Sequence, residues 1–216
     1  MKNERIRKLT AAAMLTALAV IAVCVCRIPV VLFLKYEPKN VILTIGGFLF
    51  GPVTALIVTV ASALIEMVTV SDTAGWGLVM NILASGSFAV LASLIYQKKR
   101  TLSGAVIGLL CGAAASTVLM LLWNWLITPL YMHVPRSEVV KLLIPCFLPF
   151  NAIKNCLNAA LTLLLYKPAV TALRRAGLIP PSVSAQAPRA KTYMLVAACA
   201  AVLLTGCILA FLKLAA

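Results

Sequence analysis

Long apolar runs separated by short polar segments organise most of this 216-residue chain. A helix needs roughly 20 apolar residues to cross a bilayer. On that measure, spans are expected at about 9–25, 76–96 and 102–127, with a further membrane helix at about 150–166. The run 41–70 is too long for one straight helix and carries Gly46, Gly47, Gly51 and Pro52. A break at Gly51-Pro52 divides it into a short second helix and a third of ordinary length. Residues 33–40, FLKYEPKN, read as a polar connection after the first span, and SDTAG turns the chain into the fourth. Pro145 and Pro149 are expected to break the run that follows TPLYMHVPRSE, so that the sixth helix begins near Phe150. The Pro/Ser/Ala stretch IPPSVSAQAP reads as a linker, and 194–214 as a seventh, appended helix. The expected architecture is an all-α membrane protein, with a six-helix substrate-binding bundle over 1–178. A linker at 179–191 and an additional C-terminal transmembrane helix within 192–216 complete it.

Composition agrees with this pattern: 63% of residues are hydrophobic and only 11% charged, which excludes a soluble domain. A formal charge of +14 raises the question of nucleic acid, and the placement of the charges answers it. Most Lys and Arg fall in segments 2–8, 98–100 and 167–191, without the interleaved aromatics of a nucleic-acid platform. Placing the amino terminus in the cytoplasm puts twelve of the nineteen Lys and Arg on that side, as the positive-inside rule requires. The carboxyl terminus then lies outside, and the basic segments attract anionic headgroups of the bilayer. Seven cysteines scattered through apolar runs, without CxxC or His pairing, read as small hydrophobes. The basic start and IAVC have the look of a signal or lipoprotein leader; the spans that follow favour an uncleaved first helix.

Candidate chemistry sits inside the apolar runs. Asn151, Lys154, Asn155 and Asn158 are spaced i, i+3, i+4 and i+7, which places all four on one helix face. Such groups in hydrocarbon must face protein or a polar cavity. A helix–helix hydrogen-bond seam or a snorkelling lysine would satisfy them. Three amides beside one lysine point instead to a site for a polar, planar or hydroxylated ligand. Asn124 between Trp123 and Trp125, Asn81 in the fourth span and Glu66 in the third are further candidates, with an interfacial Glu66 as the alternative. Gly104, Gly108 and Gly112 form a stripe for close helix packing, and Ala13 and Ala17 form another, internal or facing a second subunit. No GxSxG, HExxH or paired intramembrane carboxylate suggests an enzyme, and no P-loop is present to hydrolyse ATP.

These residues together resemble the substrate-binding S component of an energy-coupling factor (ECF) vitamin transporter, most closely the riboflavin-specific type. The resemblance runs from about residue 7 to 173. It rests on AMLTA, FLKYEP, GGFLFGP, SDTAGWGLVMNILASGSF, LIYQKKRTLSGAVIGL, LLWNWLITPLY and LPFNAIKNCLN followed by LLYKP. It implies six membrane helices, a vitamin site near the outer face under the first external loop, and assembly with a transmembrane coupling subunit and two ATPase subunits. It also implies flavin-ring contacts at Asn124, Asn151 and Lys154, loop contacts at Leu34, Lys35 and Tyr36, and a coupling-subunit docking face at Ala13 and Ala17. The chain departs from the family pattern after Gly51-Pro52, where TVASALIE offers Thr59, Ser62 and Glu66, and in KYEP of the first loop. The expectation is a binding subunit without covalent chemistry or a cofactor, carrying riboflavin as transported ligand. Alternatives are an S component for another vitamin or heterocycle, and an autonomous transporter using Glu66 or Lys154 as a proton site.

Overall fold

The computed structural model describes residues 2–31, 34–70, 74–175, 177, 198–203 and 205–210. In chain order the elements are α1 (Lys2–Val25), β1 (Ile28–Val31), β2 (Leu34–Tyr36), α2 (Lys39–Phe50), α3 (Pro52–Thr69), α4 (Ala74–Lys98) and α5 (Leu102–Leu126). They continue as α6 (Thr128–Met132), α7 (Arg136–Leu142), a π-helical turn (Leu143–Phe147) and α8 (Leu148–Arg175). Five helical stretches among the described residues are long and apolar enough to cross a membrane: Ile6–Val25, Pro52–Thr69, Gly75–Lys98, Leu102–Leu126 and Arg136–Leu173. At 12 residues, α2 is shorter, about 18 Å at 1.5 Å per residue.

The break between α2 and α3 falls where the sequence places it. Gly51 has φ 105°, a left-handed value that a Cβ would penalise, and Pro52 opens α3 with its missing N–H at a position that needs none. Two features differ from expectation. The segment after α1 is not a plain connection: Ile28 pairs with Tyr36 and Val31 with Leu34 in an antiparallel hairpin. The sixth helix does not start at Phe150 either, because helical structure runs from Arg136 through both prolines. The turn widens to π geometry, with Leu148 N–H donating to Leu143 O, and Pro149 then falls in the first turn of α8. Widening absorbs the missing N–H groups and ring clashes that would break an α-helix. Helix α8 also continues past Tyr166, through Pro168, to Arg175.

The core is built from small residues that let helices approach. Helices α1, α2 and α3 meet through Leu15, Ala19, Leu43, Ala55 and Val58, joined by Ala89 of α4. Phe88, Ala92, Ala105, Leu109 and Ala159 tie α4, α5 and α8 together. A third cluster, with Leu34, Tyr36, Val139, Phe147 and Phe150, packs the hairpin against the α7–α8 region. The expected linker 179–191 lies outside the described residues. Of the appended helix, 198–203 and 205–210 are described and helical, and Cys207 packs against the hairpin cluster.

The glycine stripe of α5 does what its spacing suggests. A Cβ on Gly108 would lie 2.6 Å from the carbonyl oxygen of Ala92, and one on Gly112 would lie 2.6 Å from that of Phe88. Backbone cannot retreat as a side chain can. Gly108→Val should therefore destabilise the protein by about 1–3 kcal/mol through overpacking. Thermal unfolding in detergent would show a lowered midpoint, whereas an unchanged one would mean that α4 and α5 can separate at no cost.

Candidate functional site

A cavity lies at the hairpin end of the bundle, where α1, α3 and α5 finish and α2, α4 and α8 begin. Its empty volume is about 860 Å³, counting the solvent of the open mouth. Apolar wall comes from Val23, Leu34, Met80, Met120 and Phe150, and polar groups come from the hairpin and its flanks and from α2, α3, α4, α5 and α8.

One wall is an ion network. Lys39 at the start of α2 is buried and sits between two carboxylates: it hydrogen-bonds Glu66 Oε2 of α3, and its Nζ is 3.6 Å from Glu37 Oε2. Glu37 in turn pairs with Arg27, whose Nε is 3.2 Å from Oε1, and Arg27 also donates to the backbone oxygen of Val70 at the end of α3. Asn81 of α4 donates to Glu66 Oε2 at 3.2 Å. The end of α1, the segment after the hairpin and three helices are thereby joined through charges that would be costly if left single. Glu66 Oε1 and Asn40 Oδ1 are buried, line the same wall and have no hydrogen-bond partner among the described residues.

The rest of the polar lining belongs to α5 and α8. Asn124, Asn151, Lys154 and Asn155 all border the cavity. Asn124 donates to Met120 O and accepts from Thr128, and Asn151 donates to Phe147 O at 2.8 Å. Each amide is thus oriented by its own helix while part of its hydrogen-bonding capacity stays available. The Lys154 amine sits 5.8 Å from the Phe150 ring centroid and meets no carboxylate or hydrogen-bond acceptor among the described residues.

The four-residue polar face of α8 therefore divides between two roles. Asn151 and Lys154 turn to the cavity. Asn155 borders it and also donates to Thr117 Oγ1 at 3.0 Å, which makes a seam with α5. Asn158 is fully buried and accepts from the Tyr36 hydroxyl at 3.2 Å. Of the loop residues, Leu34 and Lys35 border the cavity, whereas Tyr36 points into the packing beneath the hairpin, where burial pushes its hydroxyl pKa up. Glu66 and Asn81 are within the cavity wall. Trp125 faces outward beneath Arg136, whose guanidinium is 5.1 Å from its ring centroid, an interfacial placement. Ala13 and Ala17 lie far from the cavity, exposed on the outer face of α1.

Arg27, Glu37, Lys39 and Asn40 were not singled out in the sequence. Their charges lie in segments that look like exposed connections, and only the hairpin brings them under cover. One signal was available: the chain has five acidic residues in all, so a Glu beside each apolar run is a candidate partner for a buried cation.

Residues 7–166 match the family model described as ECF transporter, substrate-specific component. The chain belongs to this family. Among its relatives is the riboflavin transporter FmnP of Bacillus subtilis (strain 168), 29% identical over 132 residues, covering 57% of this chain and 70% of that one. The riboflavin transporter RibU of Staphylococcus aureus (strain TCH60) is 26% identical over 150 residues, 66% of this chain and 78% of that one. A solved S component of a bacterial ECF transporter superposes with a TM-score of 0.66 at 27% identity, over 79% of this chain and 99% of that chain. As an S component, this protein is a transport protein, and its cavity is the place to look for a transported ligand.

The ion network makes a stability prediction. Lys39→Met strands Glu66 in the wall, while Glu37 keeps Arg27, and should cost about 3–5 kcal/mol. Adding Glu66→Leu should recover a large part of that loss, because the uncompensated charge goes with it. A double-mutant cycle on detergent melting curves measures the coupling; strictly additive losses would show that the pair carries none.

Proposed function

We propose that the protein is the high-affinity riboflavin-binding subunit of an ECF importer. The observation that carries this reading is the unpaired Lys154 amine, facing the cavity beside Asn124 and Asn151. A flavin ring is planar and apolar on its faces, with carbonyls, ring nitrogens and one imide N–H along one edge. Amides serve both kinds of edge group, and a lysine serves the acceptors. Met80, Met120 and Phe150 supply the apolar wall against which such a ring packs. The riboflavin transporters among its relatives point to the same ligand. Membership in the family, together with the engagement of Glu66 by Lys39 and Asn81, gives no support to an autonomous proton-coupled transporter.

On this reading the protein performs no covalent step. Basic segments at the end opposite the cavity face the cytoplasm, so the cavity opens outward. Vitamin enters beneath the hairpin, which closes over it, and a transmembrane coupling subunit with two ATPases moves the loaded subunit until the site opens inward. The exposed Ala13 and Ala17 give α1 a shallow face for that coupling subunit. The family match ends at residue 166, which supports a binding domain ending near 178 and an accessory role for the helix beyond it.

Lys154→Ala and Asn151→Ala should each weaken riboflavin binding by about 1–3 kcal/mol, because each strands a polar atom of a buried ligand. Titration of purified variants by flavin fluorescence decides this, and unchanged affinity in both would sink the site. Ala13→Trp should abolish uptake while leaving binding intact; loss of binding as well would place the alanines in the subunit's own fold. A chain ending near residue 180 should bind and transport nearly as the full chain does, and failure to bind would move the domain boundary.

A further inference from the structure

Two buried acceptors on the α2–α3 wall have no use in the fold. Glu66 is 3% exposed and Asn40 is 2% exposed. Lys39 and Asn81 occupy only one oxygen of Glu66, and Asn40 Oδ1 meets nothing among the described residues. A buried acceptor left unmet costs free energy that a native wall does not carry without return. Both residues border the cavity that the Lys154 amine also borders. The polarity of the cavity is therefore divided: an unmet donor on α8, unmet acceptors on α2 and α3.

We propose that Glu66 and Asn40 form a hydroxyl-reading subsite that receives the polyol chain of the ligand while its acceptor-rich ring edge meets Lys154. This rests on the flavin reading above and adds the ligand's orientation and the source of its selectivity. A hydroxyl donating to the ionised Glu66 makes a charge-assisted bond, stronger than one to a neutral acceptor. The Asn40 amide can both accept from and donate to a neighbouring hydroxyl, as a chain of adjacent alcohols requires. A ligand that lacks the chain leaves both acceptors buried and unmet, which is the arrangement that gives a site large discrimination against the deficient analogue. Lys39 and Asn81 are positioning residues here, because they hold the carboxylate with Oε1 free.

The test compares riboflavin with lumiflavin, which has the same ring and a methyl group in place of the polyol. Affinities are measured by fluorescence quenching and competition on the full chain in detergent. Wild type should prefer riboflavin by about tenfold or more, the equivalent of roughly 1.4 kcal/mol. Glu66→Gln and Asn40→Ala should each weaken riboflavin severalfold and leave lumiflavin within twofold, whereas Lys154→Met should weaken both. Asn40 makes no side-chain hydrogen bond in the fold, so its variant remains informative if Glu66→Gln is unstable. Equal losses for the two flavins in Asn40→Ala, or no loss in either, would overturn the subsite alone. A wild-type chain that binds neither flavin would overturn the flavin reading, and this inference with it.

Discussion

Lys39 is the residue around which the cavity end of this protein closes. A single ammonium at that depth would be prohibitive, and so would either neighbouring carboxylate. Together, Arg27, Glu37, Lys39 and Glu66 compensate one another, and the compensation works only if α1, the hairpin, α2 and α3 keep their places. Electrostatics here fixes geometry more than it adds stability. Hydrophobic burial cannot do the same job, because lipid and helix interior are almost equally apolar and residues can slide without penalty. A chain of alternating charges, Arg27–Glu37–Lys39–Glu66, has few satisfactory arrangements.

The opposite half of the bundle uses a different device. Helices α4 and α5 are held by backbone contact, with Gly108 and Gly112 against the carbonyls of Ala92 and Phe88. Ser116 of α5 reinforces the seam by donating to Ala84 O at 3.0 Å. The cavity thus lies between a wall ordered by charge and one ordered by close packing, and α8 completes it. Neither wall borrows the side chains that remain unmet, so Glu66 Oε1, Asn40 and Lys154 stay available for a ligand.

Much of this could be read along the chain, for identifiable reasons. Span positions and the Gly51-Pro52 break follow from hydropathy and from residues whose backbone preferences are strong. The glycine stripe follows from spacing. Glu66, Asn81, Asn124, Asn151 and Lys154 stood out because an amide or charge within an apolar run has few places to go, and all five border one cavity. The hairpin was not legible, since its two short strands resemble the frayed end of a span. The network was not legible because it joins residues distant in sequence, Lys39 to Glu66 across 27 positions, and the same lysine also meets Glu37. The prolines misled for a third reason: they rule out an α-helical turn, and the chain has another kind of turn to use.

That other turn has a rotational consequence. Successive residues of an α-helix are offset by about 100° around the axis, and a π turn takes in one residue more than an α turn. The turn at Leu143–Phe147 therefore acts as a phase shifter between α7 and α8. It lets Val139 join the packing beneath the hairpin while the face carrying Asn151 and Lys154 is dialled toward the cavity instead of the lipid. Deleting one residue from the turn would leave the helix as apolar as before, yet swing its lysine out of register with the rest of the wall. The angular setting of the cavity-facing side chains is thus encoded upstream of them, in a stretch that does not itself line the cavity.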